Sequence, residues 1–236
     1  VDEDRAWLLE QIKERLHFYS SMTSVGLRVP ELKPAPAAKR PAKVEAIARP
    51  APGETLEQIR QDLGDCTRCQ LHTKRRTLVF GVGNSSADLM FVGEGPGREE
   101  DLQGIPFVGP AGQLLTRIIQ AIDMSREEVY IANIVKCRPP GNRDPEPKEM
   151  DTCLPFLVRQ IQSVRPRVIC TLGRVAAQAL LSSDKSLREL RGRTFSFANA
   201  VVVPTYHPAY LLRYPEKKRE TWEDMKLVRR LLHDER

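Results

Sequence analysis

Four short apolar runs constrain this chain more than anything else in it. They occupy residues 89–92, 129–134, 168–172 and 201–203. Each is strand-length, rich in Val, Ile, Leu or Phe, and bounded by turn residues, so each reads as a buried strand. Helical patterns separate them at about 111–123, 147–162, 173–181 and 217–232. Strands that alternate with helices imply a mostly parallel sheet, here four-stranded, with helices on both faces. The fold class is therefore α/β. No apolar run is long enough to span a bilayer, and no membrane association is expected.

The 236 residues divide unevenly. Residues 1–29 hold Leu8, Leu9, Ile12, Leu16 and Tyr19 at helical spacing, which predicts an N-terminal amphipathic helix. Residues 30–53 are rich in Pro and Ala with scattered Lys and Arg, too poor in apolar side chains to form a core, and read as a linker. The globular domain is assigned to 54–236. The first four residues are acidic and lack an apolar signal core, so secretion is not expected. A net charge of +6 favours a polyanionic partner, of which nucleic acid is the commonest.

The ends of the predicted strands carry the candidate chemistry. The first runs into Gly93-Glu94-Gly95-Pro96-Gly97, followed by an isolated Phe107. Ligands of open α/β sheets bind at such ends. A phosphate cradle does not fit, because neither G-x-x-x-x-G-K-[ST] nor G-x-G-x-x-G is present. Pro96 also lacks a backbone donor, and Glu94, Glu99, Glu100 and Asp101 would repel an anion. A neutral planar ligand suits the loop better. Asn133 closes the second strand; its amide is either satisfied internally or reads a ligand. Gly173-Arg174 opens a helix after the third strand, a candidate phosphate contact. His207 follows the fourth strand and is fixed by Pro208. The Pro-rich segment with Arg138 and Arg143, together with Arg213, forms a basic surround for a polyanion.

Five cysteines without a signal segment argue for thiols in a reducing compartment. Cys66 and Cys69 make a C-x2-C pair, with Cys137 and Cys153 downstream. Four thiolates suit either a zinc ion or a four-iron cluster, and spacing does not choose between them. Cys170 lies in an apolar strand and reads as core.

Taken together, residues 93–101 (GEGPGREED), 106–112 (PFVGPAG), 133–143 (NIVKCRPPGNR) and 207–213 (HPAYLLR) resemble the family 4 uracil-DNA glycosylases over roughly residues 54–232. The resemblance implies a three-layer α/β/α sandwich with a [4Fe-4S] cluster on Cys66, Cys69, Cys137 and Cys153. It implies hydrolysis of the N-glycosidic bond of uracil in single- or double-stranded DNA, leaving an abasic site without strand cleavage. Phe107 would stack on the flipped base, Asn133 would read it, and His207 would donate to uracil O2. The backbone of Gly93, Gly95, Pro96 and Gly97 would line the pocket and help to place water. The best-known uracil-DNA glycosylases have an aspartate where this chain has Gly95. Glu94 is therefore the first candidate to activate water or to exclude the thymine methyl group, with Asp101 second. Arg138, Arg143, Arg174 and Arg213 would meet phosphates, and Leu211 or Leu212 would wedge into DNA. A covalent DNA adduct is not expected, because the Lys-Arg-rich insert with its His is absent after Lys136. A non-catalytic DNA-binding or polymerase-associated module is the alternative. A monomer is expected, in a bacterial or archaeal cytosol, with residues 1–53 available to a repair or replication partner.

Overall fold

The computed structural model describes residues 53–233. The helix expected in 1–29 and all but the last residue of the expected linker lie outside the described residues. Helix α1 (Leu56–Leu63) opens with a capping box: Thr55 Oγ1 accepts from the Gln58 N–H at 3.2 Å, and Gln58 Oε1 accepts from the Thr55 N–H at 2.8 Å. After a 3-10 turn at Gln70–Thr73, the chain enters the sheet through the two-residue strand β1 (Val82–Gly83). The elements β2 (Leu89–Gly93), α2 (Arg98–Gln103), α3 (Pro110–Gln120) and β3 (Tyr130–Asn133) follow. Next come α4 (Pro147–Val164), β4 (Val168–Leu172), α5 (Arg174–Leu181) and α6 (Leu187–Leu190). The chain closes with β5 (Phe195–Phe197), β6 (Ala200–Thr205), α7 (Pro208–Arg213) and α8 (Lys218–His233).

The sheet order is β1-β3-β2-β4-β6-β5. The four inner strands are the four expected from sequence, and they are parallel. The expected strand count of four is corrected to six, because β1 and β5 add antiparallel edges. Both are too short to show a strand period. The β5–β6 hairpin also turns on Ala198 and Asn199, both at positive φ (48° and 69°). That geometry fits a two-residue turn usually signalled by Asn-Gly, which is not present here.

Side-chain alternation along β2 explains the layers. Met90 and Val92 join Ile134, Leu157, Ile161 and Leu180 on the face covered by α4 and α5. Leu89 and Phe91 join Leu115, Ile119, Met225 and Val228 on the face covered by α3 and α8. Every residue of β2 and β4 is buried, as parallel strands covered on both faces require. Each such Leu, Ile or Phe contributes roughly 1.5–3 kcal/mol relative to exposure. Cys170 is wholly buried in the second of these faces. Among the described residues no helix is long and apolar enough to cross a membrane.

The order places β2 between β3 and β4. The chain steps from β2 outward to β3, then crosses back past β2 to β4. The carboxyl ends of β2 and β4 therefore part at a switch point, where open α/β sheets form their ligand crevice.

Candidate active site and cysteine cavity

Backbone pairing continues beyond the β2 and β3 ends: the Ile134 N–H donates to Gly93 O at 2.9 Å, and the Val135 N–H donates to Glu94 O at 3.1 Å. The glycine loop and the segment after Asn133 thus run side by side. Gly93 has no room for a side chain. A Cβ there would meet Asn133 Oδ1 and stand 2.6 Å from Phe107 Cζ. The missing side chain is what lets the Asn133 amide and the Phe107 ring come together. Asn133 is 1 % exposed, and its Oδ1 is buried with no hydrogen-bond partner among the described residues. Leaving such an acceptor unpaired costs about 1–3 kcal/mol. Among the described residues the amide oxygen is therefore not satisfied internally.

Phe107 is 6 % exposed and adopts φ 55°, in the left-handed region that costs a bulky residue strain. Its neighbours hold it there. The Glu100 Oε1 accepts from the Val108 and Gly109 N–H groups at 2.9 and 3.0 Å, and Arg126 donates to Pro106 O at 2.9 Å. Gly112 packs directly on the Phe107 carbonyl, where any Cβ would collide. The Glu100 anchor was not legible in sequence, where it read only as part of an acidic run.

The Phe107 and His207 ring centroids are 5.6 Å apart at 34°. His207 is the N-cap of α7, and its Nδ1 accepts from the Ala209 N–H at 3.1 Å. That bond makes Nδ1 the acceptor, so the neutral ring carries its proton on Nε2. Burial lowers the His207 pKa to about 4; the nearby Glu100 opposes the shift and Arg213 adds to it. His207 is therefore a neutral donor across the physiological range. Gly173, at φ 93°, brings its backbone against His207 Cβ. All four inner strand ends thus contribute to one crevice.

Burial pushes the Glu94 carboxyl up to about 7, with Asp144 adding to the rise and Arg174 opposing it. Asp101 does not share this setting. It is 3 % exposed and accepts from the Arg76 and Thr77 N–H groups at 2.9 and 3.4 Å, so it ties down the backbone there and leaves Glu94 as the carboxyl candidate. A Cβ on Gly95 would stand 2.7 Å from Val135 Cγ2, a buried branched side chain with little freedom to move. An aspartate at 95 has no room beside Val135. Gly95→Asp is expected to lower stability by about 1–3 kcal/mol, and adding Val135→Ala should recover part of it. Thermal melts of the single and double variants check this.

The basic candidates separate in the structure. Arg143 forms a two-pronged pair with the buried Glu149 at 2.7 and 2.9 Å, and it braces the Pro-rich segment instead of standing free. Arg138 donates to Asn142 Oδ1 at 2.7 Å. Arg174 pairs with Asp144 at 2.5 Å in an exposed setting, the kind of pair a phosphate can displace at little cost. Arg213 is exposed. The segment 207–213 is largely the short helix α7. Within it Leu211 is 1 % exposed and Leu212 is 43 % exposed. The wedge candidate Leu211 is thereby corrected: it packs into the core, and Leu212 is the apolar side chain presented to solvent.

Cys66, Cys69, Cys137 and Cys153 line one small cavity, together with Lys136 and Phe156. Arg75 donates to Cys137 Sγ at 3.2 Å, and Arg68 donates to Cys66 Sγ at 3.4 Å. Arg75 also pairs with Asp65. These sulfur donors were not foreseen; their signal was the Arg content flanking the C-x2-C pair. Cationic donors aimed at sulfur suit thiolates that carry a metal centre. Among the described residues, no three His, Cys, Asp or Glu side chains form a group that could hold a single metal ion.

The crevice at the strand ends belongs to an α/β protein with a parallel inner sheet, and comparison with known proteins places that fold in a family. The family model described as the uracil DNA glycosylase superfamily matches residues 80–226, and the chain belongs to that superfamily. Within it, the likeness is to the type-4 enzymes. The type-4 uracil-DNA glycosylase of Archaeoglobus fulgidus is 42 % identical over 183 residues, covering 74 % of this chain and 92 % of that protein. That of Saccharolobus solfataricus is 44 % identical over 188 residues, covering 76 % and 87 %. That of Thermotoga maritima is 42 % identical over 186 residues, covering 77 % and 97 %.

Proposed function

We propose that this protein hydrolyses the N-glycosidic bond of uracil in DNA, releasing free uracil and leaving an abasic site. The observation that carries the reading is the buried, unpartnered Asn133 Oδ1 beside Phe107. A base inside a duplex cannot reach such a pocket, so it must be unstacked or come from a single strand. Its face then lies on Phe107. Asn133 Oδ1 accepts from uracil N3–H, and the amide nitrogen donates to O4. Cytosine presents the reverse pattern at both positions and leaves the amide mispaired. His207 donates Nε2–H toward O2, where negative charge gathers as the bond breaks, and a fixed neutral donor stabilises that charge. Glu94 takes the proton of the water that attacks C1′. Leu212 fills the gap left by the base, while Arg138, Arg174 and Arg213 hold phosphates.

The four cysteines would hold a [4Fe-4S] cluster. The cavity they share and the Arg68 and Arg75 donors to sulfur fit a thiolate-bound metal centre, and the resemblance to the type-4 enzymes favours the cluster over zinc. When bound, the cluster cross-links residues 66–69 to the segment between Cys137 and Cys153.

The test is incubation with single- and double-stranded oligonucleotides carrying one uracil, followed by alkali. Uracil-dependent cleavage is expected; none from brown, cluster-loaded protein would refute the reading. The pH profile tests Glu94. Its raised pKa means that the carboxylate dominates only above about 7. The rate should rise with pH through that value and then level off, and His207, neutral down to about 4, adds no limb in this range. Glu94→Gln should lower the rate and flatten the profile. Unchanged rate and profile would remove Glu94 from the chemistry.

A further inference from the structure

Lys136 lies between the cysteine cavity and the base-reading strand end. Its side chain is 1 % exposed. Its Nζ donates to the Asn133 carbonyl oxygen at 2.8 Å and to Gln160 Oε1 at 2.6 Å. Gln160 is wholly buried, and its amide donates onward to Phe80 O at 3.0 Å and to the Tyr130 hydroxyl at 3.1 Å. Both acceptors of the ammonium are neutral. A buried cation normally requires a buried anion. The anion available is the wall of sulfurs: Lys136 lines the cavity of all four cysteines, and its own backbone N–H hydrogen-bonds the Cys153 sulfur.

We propose that Lys136 is a positioning residue, the counter-charge of the thiolate-bound cluster, whose ammonium also fixes the Asn133 backbone and so the amide that reads uracil. The inference rests on the uracil reading above. Four thiolates around an iron–sulfur core would leave net negative charge, and Lys136 is a fully buried cation beside it, complementing the Arg75 donor to Cys137. The same ammonium closes a three-residue hook from 136 back to 133. The cofactor wall and the recognition amide are thus joined through one side chain. Loss of the ammonium would loosen both ends of the hook and leave the DNA-facing basic surface unaltered.

Lys136→Met keeps the length and removes the charge. The holoprotein is assayed for binding of free uracil by calorimetry, for KM and kcat on a single-stranded uracil oligonucleotide, and for loss of absorbance near 400 nm during chelation. Outer-shell partners of metal sites typically govern affinity or activity by roughly 10–100-fold. Weaker uracil binding on that scale is expected, with a matching fall in kcat, faster bleaching and little change in KM for DNA. A purely structural role would lower the melting temperature without singling out free uracil. Wild-type uracil affinity and bleaching rate in Lys136→Met would overturn the proposal. Should that variant fail to fold, Gln160→Met removes one acceptor and leaves the cation. Weaker uracil binding with an intact cluster spectrum is then expected, and unchanged binding overturns the proposal. Failure of the wild-type protein to release uracil would instead strike the functional reading itself.

Discussion

Asn133→Leu should lower kcat/KM for uracil excision by roughly 10³-fold while leaving the fold as stable as before or more so. The two effects have one cause. Asn133 Oδ1 is buried without a partner, so the free protein carries a desolvated acceptor that only a ligand relieves. Leucine keeps the same branched outline of four side-chain heavy atoms, though bulkier, and has no polar atoms, so that cost disappears and the melting temperature holds or rises, by about 1 kcal/mol equivalent. With uracil bound, the variant instead leaves N3–H and O4 of the base unpaired. Sites built around such polar pairs lose the most when one side is removed. Melting curves and single-turnover excision on one preparation check the prediction. A variant that loses stability and activity together would show that the amide is structural.

The second large effect belongs to His207. His207→Asn should lower kcat by roughly 10²–10³-fold, the usual cost of one donor aimed at developing charge. Asparagine can still cap α7, as His207 does through Ala209, so the helix start is preserved. Asparagine is too short to reach the base oxygen from the same backbone. KM should change little, because the donor matters most as charge appears. Acidity affects His207 in a defined direction. The folded pKa is about 4, below the ordinary value near 6.5. Between these values the unfolded chain binds more protons, so stability falls as pH drops through that window and is fully present above it. Acid titrations of melting temperature in wild type and His207→Asn should differ in slope only there.

The inner half of the sheet was legible because parallel strands buried on both faces have nowhere for polar residues. Continuous runs such as 89–92 and 168–172 follow directly. Edge strands carry no such burden, so Val82–Gly83 and Phe195–Phe197 left no pattern. Three short helices, at 98–103, 187–190 and 208–213, were not expected. Residues 98–103 are almost all charged and lack an apolar face. Residues 208–213 were assigned no element, Pro208 being read only as fixing His207, although a proline at the first helical position starts a helix. Within the site, residues tied to strand ends were readable: Asn133, Phe107 and His207 lie close together as the motif order implied. Residues whose meaning depends on a partner across space were not. Nothing in sequence pairs Arg143 with Glu149, occupies Asp101 with the 76–77 backbone, or turns Leu211 inward while Leu212 faces out.

The cysteine wall has a consequence for synthesis. Its four thiols span residues 66–153, and the Lys136–Gln160 contact closes soon after. The chain emerges from the ribosome in numerical order. All four thiols are therefore made, and emerge, ahead of β4, β6 and His207. The half of the molecule that would hold the cofactor is complete while the half that closes over the base is still missing. In the cell, iron delivery would come before the base pocket is complete, so a chain that acquires its uracil-excising pocket would already hold the proposed cluster.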